Sequence, residues 1–188
     1  MRKIYGTDRL ILKTFTNSFK EAQAVLNFYE RNREFFKPWE PLRDEEFYKL
    51  ENRRDILSWE LNSMRRKESI RLWIFDKNDT KFEDIMGMVS LTNIIRGAFQ
   101  SCFLGYAMDK DAINKGYATE AIGKAIEIGF NELNLHRIEA NIMPKNKASL
   151  RVAEKLGLQN EGLAKNYLKI NGEWEDHIHM VILNEKME

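Results

Sequence analysis

Two stretches of the chain combine small, polar and basic residues in a way that could do chemistry on a charged ligand. They are Asn114-Lys115-Gly116-Tyr117-Ala118-Thr119 and Pro144-Lys145-Asn146-Lys147-Ala148-Ser149. Each follows an apolar run of strand character and opens a run of helical period. A helix starting there leaves backbone N–H groups without intrahelical partners, and its macrodipole adds partial positive charge, which suits a phosphate. Two such starts after neighbouring strands suit one elongated ligand laid between them. The small residues Gly105 and Ala107, just before the first stretch, could let a ligand chain approach the backbone. Neither GxGxxG nor GxxxxGK followed by Ser or Thr occurs, which argues against a Rossmann site and a P-loop.

The elements that must position these stretches follow from periodicity. Residues 8–15, DRLILKTF, hold a short apolar run that predicts a strand. Asn17 or Ser18 can cap a helix in which Phe19, Ala22, Val25, Leu26 and Tyr29 recur at helical spacing. It ends before FFKPWEP, residues 35–41, where Pro38 and Pro41 leave Trp39 in a loop. A second helix is predicted over 44–67, with Phe47, Leu50, Leu57, Leu61 and Met64 along one stripe. Alternation at 70–75 and an apolar run at 85–91, separated by DKNDTKFED, predict an antiparallel hairpin. A strand over 99–108 then leads into the first stretch. The helix over 115–133 carries Ala118, Ala121, Ile122, Ala125, Ile126, Gly129, Phe130 and Leu133 on one face. A strand at 137–143 precedes a short helix at 146–156 that stops at Gly157. Two strands within 158–183 join at Asn171-Gly172, a type I′ turn. Hairpins thus surround one strand-helix-strand-helix unit at 104–156, and the expected class is α/β (α+β), one domain over 1–188.

Composition bounds the partners. Apolar residues make up 43%, including 11 Phe and 4 Trp, enough for a sizeable core. With 30 basic against 29 acidic side chains the formal charge is +1, without the basic stripe of a duplex-binding protein, so no nucleic-acid partner is expected. A single cysteine excludes an internal disulfide and a Cys-rich zinc site, and fits a reducing cytosol. No apolar segment follows Met1 and no run approaches the roughly 20 residues of a membrane span. A cytoplasmic protein, monomeric or homodimeric, is expected.

Several residues have two readings. Asn146 and Ser149 can be plain helix caps or site residues. Trp39 can be core or the wall of a pocket. Cys102 is read as a small packed side chain. His177 and His179 face one side of a strand without a third ligand, so no metal is expected.

On LGYAMDKDAINKGYATEAIGKAIEIGF, LHRIEANIMPKNKASLRVAEKLGL, EGL and INGEWEDH, the chain resembles the GNAT acetyltransferase superfamily. Within it, the similarity is to the RimJ/RimL type, the ribosomal-protein alanine N-acetyltransferases. It is strong over 104–183 and looser at TDRLILKTF and FFKPWEP. The resemblance implies a GNAT fold: a mixed, mostly antiparallel sheet flanked by helices and splayed between the strands ending near Met108 and Met143. It implies acetyl-CoA as cosubstrate and no metal. Backbone amides of Asn114, Lys115, Gly116, Tyr117, Ala118 and Thr119 would hold the pyrophosphate, and Tyr106, Ala107 and Met108 would pair with the pantetheine arm. Asn146 would hold the pantetheine amide region, with Ser149 by the sulfur. The expected catalytic group is Ser149, Asn146 and a backbone N–H at Met108. Trp39, Tyr167 and Asp176 are expected on the acceptor side.

Three positions depart from the superfamily pattern. Ile113 stands where Gln or Arg is frequent. Ala153 replaces the tyrosine that many members use as proton donor, which moves that role to Ser149. Phe103 replaces a glutamate of related members, leaving a water relayed to Asp176, Glu139 or His177 as a proton route. A chain without an obvious base matches an amine that is easy to neutralise. An α-amine with pKa near 8 needs about 1 kcal/mol at pH 7, a lysine roughly 4 to 5 kcal/mol. The implied reaction is direct transfer of acetyl to a primary amine, the N-terminal α-amine of a (ribosomal) protein or peptide. The alternatives are an acetyltransferase of a polyamine, aminoglycoside or amino acid, and a catalytically weak acyl-CoA-binding module.

Overall fold

The structure, a computed structural model, describes residues 2–187. Its strands are β1 (Ile4–Gly6), β2 (Leu10–Lys13), β3 (Ile70–Asp76), β4 (Gly87–Ile95), β5 (Ser101–Met108), β6 (Arg137–Ile142), β7 (Gln159–Ile170) and β8 (Glu173–Leu183). They form one sheet in the order β1-β2-β3-β4-β5-β6-β8-β7. Every neighbouring pair is antiparallel except β5 with β6. A parallel pair needs a crossover, and α4 (Tyr117–Asn131) supplies it.

The β5–β6 pairing is short. It comprises Ser101–Arg137, Cys102–Ile138 and Phe103–Glu139, and stops there. Leu104 to Met108 stay paired with β4 alone, while Ala140 and Ile142 pair with β8. The two strands therefore diverge, and their facing edges present backbone N–H and C=O groups that neither strand satisfies for the other. This is the expected mixed sheet, with the expected splay.

Helices cover both faces of the sheet. Leu10, Leu12, Leu72, Ile74, Leu91 and Leu104 pack against α4 and α5 (Lys147–Lys155). On the other face Phe15, Trp73 and Phe75 pack against α1 (Phe19–Arg31) and α3 (Leu50–Arg65). Strand β3 is buried on both faces, which explains its nearly continuous apolar character. Helix α4 lies close to the sheet because Gly129 has no side chain there. A Cβ would sit 2.6 Å from Cδ1 of Ile138 and 3.2 Å from Cδ1 of Leu91.

Some elements differ from the sequence-based expectation. The helix expected over 44–67 is broken: a 3-10 turn at Glu45–Tyr48 precedes an extended Lys49, and α3 begins at Leu50. The cause is tertiary. Phe47 turns inward against the Tyr29 ring (centroids 4.9 Å apart) and under the buried Arg53 guanidinium at 3.7 Å. A short α2 (Arg33–Phe36) carries the chain into the Trp39 loop. The second strand of the hairpin is β4, later than 85–91, and the three-residue β1 is too short to show a period. Ser18 is the α1 cap. Asn171 and Gly172 both have positive φ, 45° and 90°, as a type I′ turn requires. This turn docks on the Trp39 loop through Asn171 N–H donating to the Glu40 carbonyl at 2.9 Å.

Candidate active site

The first helix terminus is built to leave its donors free. Gly116 is the N-cap of α4, in the left-handed region at φ 80°, with no side chain to cap the helix. Asn114, two residues earlier, is left-handed as well at φ 60°. The first intrahelical bond of this turn runs from Glu120 N–H to the Gly116 carbonyl at 3.1 Å, which leaves the N–H groups of Tyr117, Ala118 and Thr119 for a ligand. Residues distant in sequence clamp this turn. The Glu120 carboxylate accepts from the Thr7 hydroxyl (2.6 Å), the Arg9 N–H (2.8 Å) and Arg9 Nε (2.7 Å). Arg9 also donates to the Lys115 carbonyl at 3.0 Å and stacks over the Tyr117 ring at 4.6 Å. Burial alone would raise the Glu120 pKa, but Thr7 and Arg9 together hold it below the ordinary carboxylate value.

The second terminus is capped from within. Asn146 Oδ1 accepts from the Ser149 N–H at 3.1 Å, which leaves the Nδ2 amide as the group available to a ligand carbonyl. Ser149 stands in the first turn of α5. Close to it lies the Tyr106 hydroxyl, buried and without a hydrogen-bond partner among the described residues. Burial pushes the Tyr106 pKa up. An orphaned hydroxyl at a ligand-sized opening is what a bound group would satisfy.

A cleft of about 540 Å³ joins these features. It is lined by Tyr106, Ala107 and Met108 of β5, by Asn114, Gly116, Tyr117, Ala118 and Thr119 of the loop and α4, and by Asn146 and Ser149. Trp39, 37% exposed, lines it with Phe36 and Glu40 and is therefore pocket wall more than core. Lys115 does not line the cleft; its Nζ donates to the Asp111 carbonyl at 2.8 Å. Tyr167 and Asp176 lie outside this lining as well. Tyr167 packs its ring edge-on against His179, centroids 4.9 Å apart, and Asp176 Oδ1 accepts from the Asn166 N–H at 2.8 Å across the β7–β8 pair.

Comparison with known proteins agrees with this geometry. The family model of the acetyltransferase (GNAT) domain matches residues 9–159. The chain belongs to the GNAT acetyltransferase family. A protein of Bacillus subtilis described as a probable N-acetyltransferase is 40% identical over 164 residues, 87% of this chain and 89% of that one. The crystal structure of ribosomal-protein-S5-alanine acetyltransferase from Vibrio fischeri superposes with a TM-score of 0.91 at 32% identity, covering 99% of both chains. RimJ of Mycobacterium smegmatis, in complex with a CoA disulfide, has a TM-score of 0.86 at 26% identity, covering 95% of this chain and 83% of that one.

As a GNAT cleft, the site fits acetyl-CoA on its own observations: free N–H groups at an uncapped turn, an unpaired strand edge and an orphaned tyrosine hydroxyl. Residues that carry no visible signal in the sequence hold its frame. Asp109, directly after β5, accepts from Arg31 Nε (2.6 Å), Asn32 Nδ2 (2.8 Å) and the Asp111 N–H (2.9 Å). Burial would raise its pKa, but these donors hold it below the ordinary value. Only the Glu at the start of a helix, Glu120, had a local cue, as an acid in a first turn. Cys102 is packed, and burial pushes its thiol up to about 12. His179 is paired with Glu139 at 2.6 Å, and His177 Nδ1 lies 3.0 Å from the Glu175 carbonyl. Among the described residues no three His, Cys, Asp or Glu side chains are grouped to hold a metal, and no helix is long and apolar enough to cross a membrane.

Proposed function

We propose that the protein transfers acetyl from acetyl-CoA to the N-terminal α-amine of an alanine-initiated protein, with a ribosomal protein as the foremost acceptor. The observation that carries the reading is the early end of β5–β6 pairing after Phe103, because the opened strand edge, both helix termini and the Trp39 loop then share one cleft. The alanine acceptor rests on the relative from Vibrio fischeri, which is named for that activity and matches this chain along nearly its whole length.

Each group has a role that its chemistry suits. The N–H groups of Tyr117 to Thr119 take the pyrophosphate at the positive end of α4. The β5 edge at Tyr106 to Met108 pairs with the pantetheine amides as an added strand would, and Asn146 Nδ2 donates to a pantetheine carbonyl. A backbone N–H at Met108 stabilises the oxyanion that develops on the thioester. Ser149 donates to the departing sulfur. A thiol with pKa near 8.5 leaves readily, so a hydroxyl suffices where a stronger acid is missing. Holding both substrates in one cleft supplies the proximity term. The test is a screen of alanine-initiated peptides, polyamines and aminoglycosides with acetyl-CoA, read by mass. Acetylation of the peptides at the α-amine is expected; acetylation of the small amines alone would overturn the acceptor.

A further inference from the structure

The amine must lose a proton to react, and the cleft contains one group suited to take it. Among the residues lining the cleft, Glu40 is the sole carboxylate; the other charged ones are Arg151 and Lys155. Glu40 also lines a second, more polar cavity of about 310 Å³ with Tyr29, Arg33, Arg43 and Asn171. Phe36 and Glu40 are common to both, so Glu40 stands at the junction between the acetyl-CoA cleft and a route from outside. Its backbone is fixed on two sides, with its N–H donating to the Phe36 carbonyl (3.1 Å) and its carbonyl accepting from the Asn171 N–H (2.9 Å).

Three carboxylates in the frame of the site, Asp109, Glu120 and Glu139, are engaged in ways that make them poor bases. Asp109 and Glu120 each accept three hydrogen bonds, as described above, and both are held below the ordinary carboxylate range. Glu139 is bound to Arg137 (2.9 Å) and His179 (2.6 Å) and is lowered too. Glu40 differs. Among the described residues its one side-chain partner is Arg43 at a long 3.4 Å, and the side chain is 18% exposed. Burial raises its pKa, tempered by Arg43, Arg71 and Arg53. The remaining charged or titratable groups around the second cavity are Arg33, Glu34, Lys37, Tyr29 and Tyr48. A carboxylate whose affinity for protons is lifted toward neutrality, beside others that are pushed down, is the one fitted to proton transfer.

We propose that Glu40 is the general base of the reaction, receiving a proton from the acceptor ammonium where the two cavities meet. The inference rests on the acetyltransferase reading above. The ammonium gives its first proton to Glu40, which returns it to solvent through its exposed edge. The freed nitrogen forms the N–C bond with the acetyl carbon, the C–S bond breaks, Ser149 gives its hydroxyl proton to the CoA sulfur, and the second nitrogen proton leaves to solvent, from which Ser149 regains one. One amide, one thiol and one solvent proton result.

The test compares wild type, Glu40→Gln and Glu40→Asp by thiol release as a function of pH, on an alanine-initiated peptide and on every panel amine that turns over. In Glu40→Gln the kcat should fall about 100-fold, and its acid limb should move up to the titration of the amine itself, near 8. Glu40→Asp should recover part of the rate with the acid limb at lower pH again. Acetyl-CoA affinity, by calorimetry, should be the same in all three. A Gln variant with wild-type kcat and acid limb overturns the proposal, and so does one in which acetyl-CoA affinity collapses with the rate, since Glu40 would then only hold the cleft together. The failures separate: transfer by wild type to small amines alone removes the alanine acceptor and leaves Glu40 testable on those amines. No transfer to any amine removes both.

Discussion

The N-termini of α4 and α5 flank one cleft, yet they are built in opposite ways. At α4 the cap position is Gly116, left-handed and without a side chain, and three N–H groups have no acceptor among the described residues. At α5 the cap is Asn146, which satisfies the Ser149 N–H itself. An uncapped turn can hold a doubly ionised group through backbone and dipole alone. A capped turn is rigid and neutralised, and it presents side chains in fixed positions. The contrast divides labour: α4 holds charge, and α5 places a hydroxyl beside a leaving sulfur. The supports differ accordingly. The α4 turn is clamped by Arg9 and Thr7 from outside the helix, whereas the α5 cap is local.

The contrast is broken most severely by Gly116→Glu. The left-handed backbone strains any side chain, a Cβ would lie 3.3 Å from Arg9 Nη2, and the new carboxylate would repel pyrophosphate. Acetyl-CoA affinity should fall by more than about 100-fold, the equivalent of roughly 3 kcal/mol. Calorimetry that found wild-type affinity would remove the pyrophosphate from α4. Ser149→Ala tests the other terminus. Its kcat should drop about 10- to 100-fold with acetyl-CoA affinity unchanged, near the lower end of one acid–base contribution. An unchanged kcat would take Ser149 out of the chemistry and leave α5 as scaffold.

How far these two termini were legible in the sequence reflects the same division. The α4 turn could be read because Gly116 is followed by a strongly periodic apolar face, and the α5 turn because Asn146 and Ser149 are themselves capping types. What the sequence hides is where paired strands part and which distant side chains meet. The β5 and β6 runs look alike along their length, yet pairing ends at Phe103. Arg9 reaches Glu120 across 111 residues, and no local pattern announces it. The break at Lys49 depends on what Phe47 packs against, and the place of Glu40 in the cleft depends on a loop path set by the docked Asn171 turn. Of the three residues that the resemblance implies on the acceptor side, Trp39 lines the cleft, while Tyr167 and Asp176 lie on β7 and β8 outside its lining.

Asp109, which ties the end of β5 to the end of α1, predicts a pH signature that the local α5 cap lacks. Asp109 is ionised and lowered in the folded state, so its contribution is present above the unfolded carboxylate pKa, near 3.9, and is lost as pH falls through the lower folded value. Asp109→Asn should cost about 2 kcal/mol at neutral pH, the scale of hydrogen bonds to a charged group. The difference from wild type should shrink below about pH 4, measured as denaturant stability against pH. A difference that stayed constant to low pH would mean that packing, and not the charge, holds the junction of β5 with α1.

The smallest expected effect is the most discriminating for α5, because Asn146 has two jobs that one pair of variants separates. Asn146→Ala removes the cap and the Nδ2 donor, and should lower stability by about 1 kcal/mol while raising the KM for acetyl-CoA. Asn146→Asp keeps a good N-cap, since a carboxylate accepts from the Ser149 N–H and favours the helix dipole, but it has no amide to donate. Its stability should stay near wild type while the KM for acetyl-CoA rises as in the alanine variant. If the aspartate variant instead matches wild type in both measurements, Asn146 is a cap only, and α5 then reaches the cofactor through Ser149.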